Sequence, residues 1–222
     1  MALARTCVAQ PTDDAFCGVL RWTMIAAEYR PASTPVSAQV RSLRVGLLAD
    51  VHDHVRALRH ALPWLAQHAD VLLVLGDLVA PFVLRRIAEG YELPVHVVFG
   101  NNDGDRHLLG AVAAGFPHVR MHGELYRGVL GGRRVAAQHF PTIAELIDPT
   151  AADLIAFGHD HRARAERRGE AWAVNPGTLM GYDPAADADV PASWAVYDAG
   201  QHTVAFWRLA GDGAIEGWKP GG

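Results

Sequence analysis

The chain reads as an α/β protein with two packed β-sheets covered by helices, and three observations lead there. Three strand–helix units follow one another in the first half, each strand about five residues long and apolar throughout. The second half changes to short strands separated by Gly131-Gly132, Arg168-Gly169 and Ala199-Gly200, dipeptides suited to tight hairpins. Half of the 222 residues are apolar and 20% are charged, which allows a sizeable core and excludes global disorder.

Residues 1–42 are weakly patterned. Pro11 and the stretch from Pro31 to Pro35 read as an N-terminal extension and linker, with a short helical pattern over 15–30 around Trp22 and Ile25. Whether this segment is loosely attached or docked stays open. A domain is expected from residue 43 to 222. Its first strand is the run Leu43–Ala49, followed by a helix over Val55–His68 with Val55, Leu58, Leu62 and Leu65 as its apolar stripe. Val71–Leu75 suits a strand buried on both faces. The spacing predicts a second helix over Leu78–Glu89, with Pro81 in its first turn. Val95–Phe99 is a third buried strand and Asp105–Ala113 a short helix. Further strands are expected at Val119–Met121, Leu125–Val129, Arg133–Gln138, Leu154–Phe157, Arg162–Arg167, Ala171–Val174, Ala192–Tyr197 and Thr203–Leu209, with one helix over Thr142–Ile147.

Composition narrows the function. Twenty Lys+Arg against 24 Asp+Glu leave a net charge of −4, a poor balance for gripping extended nucleic acid. Cys7 and Cys17 are the two cysteines, which argues against a disulfide scaffold or a cysteine zinc site. No apolar run is long enough to span a membrane, and the N-terminus lacks the pattern of a secretory signal, so a cytoplasmic location is expected. Neither a G-x-x-x-x-G-K-[ST] phosphate loop nor a G-x-S-x-G nucleophile elbow is present.

Polar residues of metal-binding type stand directly after five apolar strands. They are Asp50-Val51-His52, Gly76-Asp77, Gly100-Asn101-Asn102-Asp103, His139 and Gly158-His159-Asp160-His161. Ligands of α/β sheets gather beyond the carboxyl ends of strands, so these loops are able to converge. An Asp/His mixture suits Mn²⁺, Fe²⁺ or Zn²⁺ better than an all-oxygen Ca²⁺ shell. The D-x-H and H-x-H pairs direct two donors the same way if the backbone stays extended. Each fragment alone has an ordinary explanation: Asp50 and Asp77 are of the type that caps helices, and His159 and His161 of the type found in turns.

The ordered set resembles the calcineurin-like metallophosphoesterase family, above all its small bacterial and archaeal phosphodiesterase-type members and the related retromer subunit. The family's D-x-H, G-D, G-N-H-D/E, His and G-H-x-H segments correspond to Asp50 and His52, Gly76 and Asp77, Gly100 through Asp103, His139, and Gly158 through His161. Asn175-Pro176-Gly177-Thr178 resembles the N-P-G-S segment of the small members. The resemblance covers roughly residues 43–209. It implies a four-layer αββα sandwich, two central mixed sheets flanked by helices, holding two divalent ions: Mn²⁺ first, with Fe, Zn or Ni as alternatives.

By the same resemblance, Asp50, His52 and His161 would hold one ion, Asn101, His139 and His159 the other, and Asp77 would bridge them. A hydroxide held between the ions would attack phosphorus in a small organic or nucleotide phosphodiester, with Asn101 also reaching the phosphate. Asn102 stands where the family has a histidine assigned to leaving-group protonation, a task an amide cannot perform. His54 or a metal-bound water are the remaining candidates. Asp53 stands where Gly is common, as an orienter of a ligand histidine or a solvated carboxylate. Phe140 also replaces a common Gly, making His139 the least secure ligand, with His118 and His122 as fallbacks. Asp103 is expected to orient the Asn101–Asn102 loop, and Asp160 to face solvent. His60, His68, His96 and His202 are expected to be structural.

A phosphomonoesterase is the alternative enzyme; it needs extra cationic or hydrogen-bonding groups, for which Arg106, Arg162 and Tyr182 are candidates. A non-catalytic interaction module on the same fold is the third reading. A homo-oligomer is expected from the small relatives.

Overall fold

The computed structural model describes residues 42–221. The expected N-terminal extension lies outside these residues except for Ser42. Eighteen elements follow one another: β1 (Arg44–Leu48), α1 (Val55–His68), β2 (Val71–Val74), α2 (Pro81–Gly90), β3 (Val95–Val97), α3 (Arg106–Ala114), β4 (Val119–Met121), β5 (Leu125–Leu130), β6 (Arg133–Gln138), α4 (Pro141–Glu145), β7 (Leu154–Ala156), β8 (Arg164–Arg168), β9 (Ala171–Asn175), β10 (Tyr182–Asp183), β11 (Ala188–Asp189), β12 (Ser193–Asp198), β13 (Thr203–Leu209) and β14 (Ile215–Trp218).

A seven-stranded sheet runs in the order β14-β13-β12-β1-β2-β3-β4 and a five-stranded sheet in the order β5-β6-β7-β9-β8; β10 and β11 form a small ribbon. In the larger sheet β1 to β4 are parallel and β12 to β14 antiparallel. The smaller sheet is also mixed, with β6, β7 and β9 parallel. The period-two alternation of strands divides the apolar runs between two cores. Leu48, Leu72 and Val74 face α1, α2 and α3, whereas Val45, Leu47, Leu73 and Leu75 face the second sheet. A third cluster lies between the second sheet and α4, including Ala144, Ile147 and Ile155. These three interfaces make the four-layer αββα sandwich expected from sequence.

In α1 the buried residues Ala57, Leu58, Ala61, Leu62 and Leu65 recur at three- and four-residue intervals, the stripe of a helix lying on a sheet. Gly46 faces the same way as Leu48, and a Cβ there would meet Leu65 and Ala69 at 3.0 and 3.2 Å, so α1 approaches β1 closely. The second helix starts at Pro81 and not at Leu78. Proline is pre-set for a first helical position, while Leu78 and Val79 are held outside the helix by contacts described below. The α4 helix is also shorter than the expected Thr142–Ile147. His202 lies in the β12–β13 turn with φ 54°. The β10–β11 ribbon and β14 have only weak apolar alternation in sequence. Among the described residues no helix is long and apolar enough to cross a membrane.

Candidate metal centre

The loops that follow β1, β2, β3, β6 and β7 meet at one end of the sandwich. They are knitted by backbone bonds: Asp50 N–H donates to the Gly76 carbonyl, His52 N–H to the Asp77 carbonyl, and Gly158 N–H to the His139 carbonyl, at 2.9–3.2 Å. Neither proposed aspartate ligand caps a helix. The caps of α1 and α2 are His54 and Ala80, and neither makes a side-chain cap bond.

The loops are not extended, which corrects the geometry expected for the D-x-H and H-x-H pairs. Asp50, His52, His159 and His161 have φ of 52°, 41°, 78° and 59°. Asp and His tolerate this left-handed region better than most side chains, so the residue types that bring the chemistry also accept the backbone. Such conformations concentrate where surrounding structure over-determines them. Close approach does the rest. A Cβ on Gly100 would fall 2.1 Å from Asp77 Oδ1, and one on Gly158 would fall 2.8 Å from Asp50 Oδ2. Both glycines are therefore required by the carboxylates they abut.

Two groups of candidate ligands result: Asp50, His52 and His161, and Asp77, His139 and His159. In the first, His161 Nε2 stands 3.2 Å from His52 Nε2 and 3.6 Å from Asp50 Oδ1. In the second, His139 Nε2 stands 3.2 Å from His159 Nδ1, 3.0 Å from Asn101 Oδ1 and 3.5 Å from Asp77 Oδ1. Asp77 Oδ2 lies 3.4 Å from His52 Nε2, so this carboxylate faces both groups. Bonds of about 2.1 Å at right angles separate neighbouring ligands by about 3 Å, close to these spacings.

The hydrogen bonds show which donor atoms the site leaves facing inward. His139 Nδ1 donates to the Leu75 carbonyl at 2.7 Å and His161 Nδ1 to the Tyr182 carbonyl at 2.5 Å. In its neutral form each ring then presents a bare Nε2 lone pair to the groups around it. Asp50 Oδ1 is buried with no hydrogen-bond partner among the described residues. Acceptors packed against acceptors call for a cation between them, and a ring tethered by a carbonyl is the usual support of a metal-binding histidine. The residues fit two divalent ions.

Electrostatics follow the same pattern. Burial pushes the Asp50 carboxyl up to about 8, opposed by His139 and reinforced by Asp77. Burial acts upward on Asp77 too, but His139 and the two N–H groups of Asn102 outweigh it and hold the carboxyl below its ordinary range. Burial lowers His52 and His159. It also acts downward on His139, but Asp77 and Asp50 carry that ring above its ordinary value.

The supporting residues differ in part from expectation. Asp103, buried, accepts N–H bonds from Asp77, Leu78, Val79 and Gly100 at 2.7–3.2 Å, and so orders two ligand loops together. Asn102 turns toward Asp77: its N–H reaches Oδ1 and its Nδ2 reaches Oδ2, both at 2.8 Å. Asp53 takes neither of the two expected roles; it accepts the N–H of Ala80 at 3.0 Å and ties the first loop to the start of α2. Asp160 is half-buried rather than solvent-facing, bonded to Asn175 Nδ2 and Arg164. Asn175 also reaches the Gly158 carbonyl, and Thr178 Oγ1 the Asp50 carbonyl, which explains the Asn175–Thr178 segment as a brace behind the site. His54 is held by the Leu179 carbonyl at 3.0 Å.

A cavity of about 580 Å³ opens over the ligands, lined by His52, Asp77, Val79, Asn101, Asn102, His159, His161, Met180 and Pro184. Neither His54 nor any of the expected cationic or hydroxyl candidates is among them. Arg106 binds Glu124 at 2.5 Å and the Gly100 carbonyl, Arg162 binds Asp183, and the Tyr182 hydroxyl binds Asp187. His118 and His122, the fallback ligands, are engaged with Ala88 and His96 instead. The apolar lining residue Val79 stands between Leu78 and Ala80, which gave no polar signal to mark it.

A model of the calcineurin-like phosphoesterase superfamily domain matches residues 43–200. Among solved structures the chain is similar to an archaeal phosphodiesterase, at 20% identity over 75% of this chain and 100% of the other, with a TM-score of 0.67. It is similar to vacuolar protein sorting 29 from Cryptosporidium parvum, at 17% identity over 80% and 96% of the two chains and a TM-score of 0.58. A predicted phosphoesterase from Streptococcus pneumoniae gives 18% identity, 80% and 97% coverage and a TM-score of 0.54. At these identities the likeness concerns the fold. No curated protein sequence matches the chain.

Proposed function

The chain belongs to the calcineurin-like phosphoesterase superfamily, and from that premise we propose that it is a dinuclear metal-dependent phosphodiesterase acting on a small organic or nucleotide diester. The observation that carries this reading is one cavity floored by both ligand groups and lined, among the described residues, by no Lys or Arg. A diester bears one negative charge at neutral pH. Two divalent ions and neutral imidazoles match it without further cations. A fully ionised monoester asks for more positive charge, and the nearby arginines are already paired with carboxylates.

When bound, two divalent ions supply Lewis acidity at the phosphoryl oxygens and activation of water at neutral pH. Asp50, His52 and His161 would hold one, Asn101, His139 and His159 the other, and Asp77 both; Mn²⁺ is the first choice. The Leu75 and Tyr182 carbonyls keep the His139 and His161 rings in the ligand tautomer. Asn102 fixes the plane of the Asp77 carboxylate and is not placed as a proton donor. In the net reaction water oxygen forms a bond to phosphorus and the bond to one alcohol breaks. One water proton leaves with that alcohol and the other goes to the monoester or solvent.

The test is hydrolysis of bis(p-nitrophenyl) phosphate after metal removal and Mn²⁺ restoration, with p-nitrophenyl phosphate in parallel. Mn²⁺-dependent turnover that prefers the diester is expected. Equal or better turnover of the monoester would reverse the preference, and none of either, with two ions verified as bound, would favour a binding module.

A further inference from the structure

Val79 stands apart from the other residues in left-handed backbone. Its φ is 74°, and among the described residues every other non-glycine position with positive φ is an Asp or a His. Those types accept that region with modest strain, whereas a β-branched side chain is a genuine outlier there. The backbone shape belongs to the loop: Val79 N–H donates to Asp103 Oδ1 at 3.2 Å, and its carbonyl accepts the N–H of Gly104 at 3.1 Å. Glycine or asparagine would satisfy both bonds with less strain.

Core packing does not account for the valine. Its side chain belongs to none of the three buried apolar clusters and is half-buried. It lines the cavity beside Asp77 and Asn102, with Met180 and Pro184. These three apolar side chains border an otherwise polar cavity whose volume, about 580 Å³, lies well within the range that small-molecule ligands fill. Strain persists where a site requires a particular group, and among the described residues the environment shown for Val79 is this cavity.

We infer that Val79 is a specificity-determining residue: with Met180 and Pro184 it forms an apolar wall that receives an alkyl or aryl substituent of the phosphodiester. The inference rests on the phosphodiesterase reading and narrows its substrate class to diesters carrying an apolar group. Contact with the wall removes hydrocarbon surface from water. A substrate with a second phosphate or another anionic arm would find no cationic side chain among the described lining residues.

Two measurements on the Mn²⁺-loaded full chain test it, in native protein, Val79→Asn and Val79→Gly. Calorimetry compares binding of diphenyl phosphate with dimethyl phosphate. Turnover compares phenyl p-nitrophenyl phosphate with methyl p-nitrophenyl phosphate, which share a leaving group, so the ratio of kcat/KM reports the other substituent. The native protein should favour the phenyl compounds at least about tenfold in both. Both variants should bring the ratios to within about threefold of one. Val79→Asn should also raise the unfolding midpoint by about 2–4 °C, because the strain is relieved and no core contact is lost. Equal native ratios, binding of neither ligand, or ratios unchanged in both variants would overturn the wall. Discrimination in binding with no turnover of either ester would leave the wall standing and remove the hydrolase reading.

Discussion

His52 and His161 meet Nε2 to Nε2 at 3.2 Å, and His96 and His122 meet Nδ1 to Nε2 at 2.8 Å. The distances are similar and the surroundings are not. Around the first pair stand Asp50 and Asp77, and the far nitrogen of His161 is committed to a backbone carbonyl, so the Nε2 of its neutral form is an acceptor turned toward the His52 ring and Asp50. The second pair closes on itself, one ring donating to the other, with the Tyr126 ring 4.8 Å from both centroids. Burial, then the partner ring and Arg120, push His96 down to about 4. Proximity of imidazoles therefore does not make a metal centre. The carboxylates and the carbonyl tether mark the candidate one, because they gather acceptors that a cation would satisfy.

The largest expected effect removes the acid from the first region. Asp77→Asn should lower Mn²⁺-dependent diester turnover at least about 100-fold, with fewer than two ions found by metal analysis of the purified variant. His96→Phe should keep both ions; equal metal loss in the two variants would break the comparison.

Next comes the carboxylate behind the ligands. Asp103→Ala strands four backbone N–H groups, two of them at buried glycine and aspartate positions of the ligand loops. It should cost about 2–4 kcal/mol in denaturant unfolding. A loss below about 1 kcal/mol would mean that water replaces the carboxylate and that the loops order themselves.

The self-closed histidine pair offers a smaller effect with a definite sign. The folded-state value of His96, about 4, lies below the ordinary 6.5, so the folded state holds it neutral and the unfolded state binds the proton first. Its contribution is full above about pH 6.5 and is lost as pH falls toward 4. For this half-buried ring the loss between pH 7 and 5 should be about 1 kcal/mol after solvent screening. The drop in unfolding midpoint over that range should therefore be shallower in His96→Gln than in the native protein. An equally steep drop would assign the acid sensitivity elsewhere.

The smallest effect is a surface control. The Arg134 guanidinium, bonded to Asp153 at 3.0 Å, holds that carboxyl down to about 2. Its contribution is present above about pH 4 and lost as pH falls through 2. Asp153→Asn should move the midpoint by less than about 2 °C at pH 7, since exposed ion pairs are weak. A larger shift would show that paired charge matters as much outside the site as inside it.

The candidate ligand residues that meet at one end of the sandwich stood out in the sequence because each follows an apolar strand directly, and strand ends are local features that period and composition reveal. The same holds for the three strand–helix units and the hairpin glycines. Boundaries were less legible where cues compete, as at Pro81, and the β10–β11 ribbon and β14 carry too little apolar alternation to be seen. What only the tertiary structure decided is which groups face which. The turn of Asn102 onto Asp77, the four N–H groups on Asp103, the Asp53 bond to Ala80 and the pairing of Asp160 join residues whose separation is set by strand order in two sheets. The left-handed φ of Val79 belongs to the same class: it is imposed by Asp103 and Gly104 across 24 and 25 positions of chain, a constraint that no local pattern around Leu78-Val79-Ala80 can express.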